Sequence, residues 1–159
     1  MIRTATSVRM LQVVAVVTAA AITLWSLGLT PFSFAQAANV TNISDVIGDS
    51  SPSATTDHTI EFTIPAGSAG VEAGETITVT FPGSFTGTSS VTLADLDLEI
   101  NGVDETLAGA PASGVWTFAW NADTLEFDNT DSTVSAGDVV TIKIGSSADG
   151  GTDRLINPS

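Results

Sequence analysis

The chain has no cysteine and no tyrosine, a single histidine (His58), and four basic residues against 18 acidic ones. Each shortage excludes something. Without cysteine there is no disulfide framework, no thiolate nucleophile, no zinc set of the usual Cys/His kind and no acyl-accepting thiol behind a leader. With one histidine, a Ser-His-Asp triad would rest on His58 alone, and no serine sits in a G-x-S-x-G elbow. So few Lys and Arg leave nothing to neutralise phosphates, which excludes nucleic acid and anionic lipid as partners. Lys143 and Arg154 are the basic residues beyond residue 37, facing all 18 acidic side chains, for a net charge of −16.

The first 37 residues read as an export signal. Arg3 and Arg9 precede an apolar run from Leu11 to Leu29, then Pro31, then the small-residue phrase Ala35-Gln36-Ala37. The run, about 19 residues, could also serve as an uncleaved membrane anchor. Either way the remainder, residues 38–159, is expected to be secreted or held at the cell surface. Its 122 residues suit one domain, stabilised by its core alone.

That remainder alternates. HTIEFTI sets Ile60, Phe62 and Ile64 against Thr59, Glu61 and Thr63; ETITVTF sets Ile77, Val79 and Phe81 against threonines. LADLDLEI sets Leu96, Leu98 and Ile100 inward and Asp95, Asp97 and Glu99 outward, before a tight turn at Asn101-Gly102. VWTFAW and TLEFD form a hairpin across Asn121-Ala122-Asp123; DVVTIKI is the last clear strand, and NVTNIS an edge strand at the start. About seven short strands of this kind predict an all-β fold, a single antiparallel Ig-like sandwich. One phrase occurs twice. VEAGETITVTF (Val71 to Phe81) returns as VSAGDVVTIKI (Val134 to Ile144), which reads as two equivalent corners where Ala-Gly turns the chain into a strand.

DHTIEFT, AGETITVTFP and IKIG…INPS together resemble an uncharacterised family of exported bacterial Ig-like sandwich proteins of the cell surface. AGETITVTFP is also loosely similar to phrases in Gram-positive adhesin sandwich domains. The resemblance covers the chain beyond the signal and implies a surface module without agreed catalytic residues. In that family the Asn-Pro phrase leads into a turn and a further strand. The domain is therefore expected to lack its last strand and to leave the neighbouring edge unpaired.

Candidate sites are few. Asp128, Asn129 and Asp131 offer oxygens for calcium in a loop after a strand, and Asp149 and Asp153 flank a Gly pair, but neither has EF-hand spacing. Trp116, Phe118 and Trp120 share one strand face and serve either as core or, with Trp116 and Trp120 exposed, as a sugar-stacking platform. His58 is expected at an exposed strand end. Asn39 and Asn42 open N-x-[ST] phrases. These features predict a non-catalytic protein, with no cofactor unless calcium, that associates with other surface proteins or glycans through its acidic faces. The alternative is a secreted carbohydrate-binding module.

Overall fold

The computed structural model describes residues 40–159 apart from residue 89. The expected export segment, 1–37, and Asn39 lie outside the described residues. The strands are β1 (Thr41–Ile47), β2 (Thr55–Thr56), β3 (His58–Thr63), β4 (Thr76–Thr80), β5 (Leu96–Ile100), β6 (Val103–Asp104), β7 (Leu107–Ala108), β8 (Trp116–Asn121), β9 (Thr124–Asn129), β10 (Val139–Ile144) and β11 (Leu155–Ile156). The fold is all-β. Among the described residues, no helix is long and apolar enough to cross a membrane.

Five strands form one sheet in the order β1-β3-β10-β5-β6, and four form another in the order β4-β9-β8-β7. Pairing is antiparallel throughout except between β7 and β8. Because side chains alternate across a strand, register fixes which residues share a face. In the five-stranded sheet the inward rows are Phe62–Val140–Ile100, Ile60–Ile142–Leu98 and His58–Ile144–Leu96. In the four-stranded sheet they are Ile77–Phe127–Phe118 and Val79–Leu125–Trp120. These rows feed one apolar cluster, in which Leu98, Trp116, Leu125, Phe127, Val140, Ile142 and Ile144 are fully enclosed. Burying each such side chain stabilises by about 1.5–3 kcal/mol, which is how a disulfide-free chain of this size can hold together.

The repeated phrase builds the same corner twice. Glu72-Ala73-Gly74-Glu75 and Ser135-Ala136-Gly137-Asp138 each close a turn, with the fourth N–H donating to the first carbonyl at 3.0 and 3.1 Å. Gly74 (φ +83°) and Gly137 (φ +93°) occupy the third place, where a positive φ favours glycine. The acidic fourth residue reaches back in both. Glu75 Oε2 accepts from Glu72 N, and Asp138 Oδ2 from Ser135 N, at 2.8 and 2.7 Å. Each corner then docks on a strand end in the same manner. Gly74 N donates to Asn129 O while Asn129 N donates to Glu75 O; Gly137 N donates to Ile64 O while Ile64 N donates to Asp138 O.

The end of the described chain is pinned on both sides. β11 pairs with β2, and Ile156 exchanges both backbone bonds with Thr86. Asn157 Nδ2 donates to the carbonyls of Asp49 and Ser51. Both sides of Leu155–Ile156 are taken within the chain.

Candidate functional site

The aromatic strand face turns inward. Trp116 is completely buried, and Phe118 and Trp120 pack against the core as partly buried rings. Trp120 lies 5.8 Å from the Phe81 ring, tilted by 40°. Trp116 therefore cannot stack on a sugar, and the two indoles do not make a platform. The reason is register: β8 sits between β7 and β9, so its large residues face the same side as Leu125 and Phe127.

The loop after β9 uses its oxygens internally. Asn129 is buried; its Nδ2 donates to Glu72 O and Ser132 O, and its Oδ1 accepts from Ser132 N at 2.8 Å. Asp131 accepts from Ser113 Oγ and from Gly114 N, and these two bonds hold its carboxyl below the usual carboxylate range. Asp128 is exposed on β9, opposite Thr76 and Thr117. Asp131 ties this loop to the β7–β8 connection, while Asn129 ties it to the first corner. Among the described residues no group of three or more His, Asp or Glu side chains is arranged to hold a metal ion.

His58 departs from the expectation of an exposed strand end. It is fully buried in an inward row, where alternation would place an apolar residue. Its ring stands edge-on to Phe81 and Phe85, with centroids 5.8 and 5.7 Å away. Nδ1 lies 2.9 Å from Asp45 Oδ2 on β1, and Nε2 has no hydrogen-bond partner among the described residues. Ser147 Oγ reaches the His58 backbone carbonyl and not the ring. The imidazole lies against two phenylalanines, and among the described residues no hydroxyl bonds to its ring.

Asp95 is also not an outward residue of β5. It ends a single 3-10 turn before that strand and is buried. Its carboxylate accepts from Thr152 N (2.7 Å), Asp153 N (2.9 Å), Thr92 Oγ1 (2.7 Å) and Thr92 N (2.9 Å). Burial would raise this carboxyl, but the bonds from Thr152, Thr92 and Asp153 outweigh it and hold it well below the ordinary range. Its role is to clamp the loop leading to β11.

The outer face of the five-stranded sheet is charged, with Glu61 and Asp104 exposed and Asp97, Glu99 and Lys143 partly buried. One row across it reads Ser44–Glu61–Thr141–Glu99–Asp104, and the next reads Val46–Thr59–Lys143–Asp97. Three carboxylates, Glu99, Asp97 and Asp104, thus act on one ammonium, with Glu61 on the neighbouring strand β3. Lys143 Nζ donates to Glu99 Oε1, and that bond, despite some burial and with the charges of Glu99, Asp97 and Asp104, raises the Lys143 pKa. Asp104 is pushed up in turn, first by desolvation and then by Glu99 and Asp97. The second basic side chain, Arg154, lies 3.3 Å from Asp57, so the acidic surplus stays uncompensated. Compared with protein families, characterised proteins and solved structures, the chain finds no match.

Proposed function

We propose that residues 38–159 are a single Ig-like sandwich serving as a non-catalytic, exported surface module with a structural or adhesive role. It associates with cationic partners through the acidic outer face of the five-stranded sheet. The observation that carries this reading is that Glu61, Asp97, Glu99 and Asp104 share the outer face of one sheet, where Lys143 is the one basic side chain among them. A second observation supports it. The groups that could do bond chemistry are consumed by the fold: His58 between phenylalanines, Asp95 as a loop clamp, Asn129 and Asp131 as turn anchors. Two sheets of five and four strands sharing one apolar cluster support the sandwich assignment. The two apolar copies of the corner phrase and the leader support an exported domain that keeps its shape without disulfides.

Binding of the secreted protein to an immobilised oligolysine peptide tests the reading. Glu61→Gln with Asp104→Asn removes two charges that make no structural hydrogen bond, and binding at low salt should weaken several-fold. Glu126→Gln with Asp128→Asn, on the other sheet, should leave it near the parent value. Equal binding by all three proteins would overturn the assignment of the face.

A further inference from the structure

Strand β1 is held differently from every other long strand. All seven of its residues are exposed, Ile43 at 69% and Val46 at 66%, so it buries no side chain in the core. It stays on β3 through the backbone ladder, through Thr41 Oγ1 and Asn42 Nδ2 donating at 3.4 Å to Thr63, and through Asp45 accepting from His58. The Asp45–His58 contact is the one side-chain hydrogen bond from β1 to a buried side chain among the described residues. A bulge between Thr41 and Ser44, with Asn42 at φ +52°, interrupts the ladder at its far end. Few buried contacts and many exposed backbone bonds mark the least stable unit of a fold.

Its attachment to the body, by contrast, is firm. Gly48 N donates to Asp57 O, Asp49 N donates to Thr56 Oγ1, and Asn157 Nδ2 grips the carbonyls of Asp49 and Ser51. β1 is thus a weakly held arm leaving a pinned hinge. When it lifts, the edge of β3 that is exposed has a known complement, which is β1 itself. Its register, its neutral character apart from Asp45, and a carboxylate placed for His58 all fit that edge. A second copy of the chain offers the same strand.

We propose that β1 is an exchangeable strand, clamped by Asp45 on His58, and that its partner on release is the β3 edge of a second copy. The result is a strand-swapped pair in which each chain supplies β1 to the other. This rests on the geometry of β1 alone and stands whether or not the acidic face binds cations.

The absence of cysteine makes the test clean. Val46 and Thr59 lie directly opposite each other, and both are clear of the core. One preparation of the full chain carries Val46→Cys and a second carries Thr59→Cys. They are mixed, incubated and cross-linked with a short bis-maleimide. Exchange predicts a covalent link between the thiol introduced by Val46→Cys in one chain and that introduced by Thr59→Cys in the other, growing with time and protein concentration. In the Asp45→Asn background it should form roughly five- to tenfold faster, because the charge-assisted bond to His58 is lost. Cross-links between like chains alone, or none, would overturn exchange. Cross-linking at the same rate with and without Asp45 would overturn the clamp.

Discussion

Val71 and Val134, the opening residues of the two copies of the repeated phrase, exchange both backbone hydrogen bonds, with N···O distances of 2.8 and 2.9 Å. The repetition in the sequence is therefore a physical pairing: two copies of one corner meet at their first residue. From that contact the chain enters β4 in one case and β10 in the other, so the corners launch one strand into each sheet. Val134 is buried and Val71 packs against the core beside it. A single motif thereby leads into one strand of each sheet.

The glycines around this contact should differ sharply in tolerance. A side chain on Gly70 (φ +90°) would place its Cβ 2.1 Å from the Val134 carbonyl oxygen, against backbone that cannot yield. Gly74 and Gly137 have open space and only an unfavourable φ. Gly74→Ala and Gly137→Ala should each cost about 1 kcal/mol, and Gly70→Ala about 3 kcal/mol or more. Urea unfolding of the three variants measures this order; equal losses would contradict the roles given to the corner glycines.

The β8–β9 hairpin holds a residue that should be improvable. Asn121 pairs with Thr124, leaving Ala122 and Asp123 as a two-residue loop, with Ala122 at φ +55°. Replacing it by glycine removes the Cβ that this conformation disfavours. Ala122→Gly should raise stability by up to about 1 kcal/mol, read as a higher urea midpoint with unchanged slope. A lower midpoint would mean that the turn is not under this strain.

Asp95 should give the fold a specific acid sensitivity. Its folded pKa lies below its unfolded one, so the unfolded chain takes up the proton more readily as pH falls. The stabilisation is complete above the ordinary carboxylate pKa of about 4 and is lost progressively below it. Asp95→Asn should cost about 2–3 kcal/mol at pH 7, since an amide cannot accept from Thr92 and the Thr152–Asp153 pair together. The gap between parent and variant should narrow from pH 5 down to pH 2. Parallel stability curves across that range would contradict the clamp.

Much of this architecture is legible in the sequence where side-chain alternation is strong. Six of the seven strands of five residues or more fall on the alternating segments; the leading edge strand, read over Asn39 to Ser44, runs over Thr41–Ile47 with every residue exposed and so shows no alternation in burial. Asn101-Gly102 forms the two-residue turn its residues demand, both at positive φ, between the paired Ile100 and Val103. Two-residue strands such as β2, β7 and β11 carry too few side chains to alternate and are defined by backbone pairing alone. His58 and Asp95 mislead for a different reason. Polar residues next to an alternating run look like its solvated end, and nothing local tells that Phe81, Phe85 or the Thr152 amide will close over them. The tryptophans are ambiguous in sequence because inward and outward aromatic faces share one spacing; the neighbours on both sides of β8 decide between them.

The central claim, association through the outer face of the five-stranded sheet, is tested most directly by titrating the isotope-labelled protein with oligolysine and following backbone amide shifts by NMR. Saturable changes are expected at Glu61, Asp97, Glu99, Asp104, Thr141 and Lys143, diminishing as salt is added. Changes concentrated on β8 and β9, or none below the concentrations at which any acidic protein responds, would contradict it.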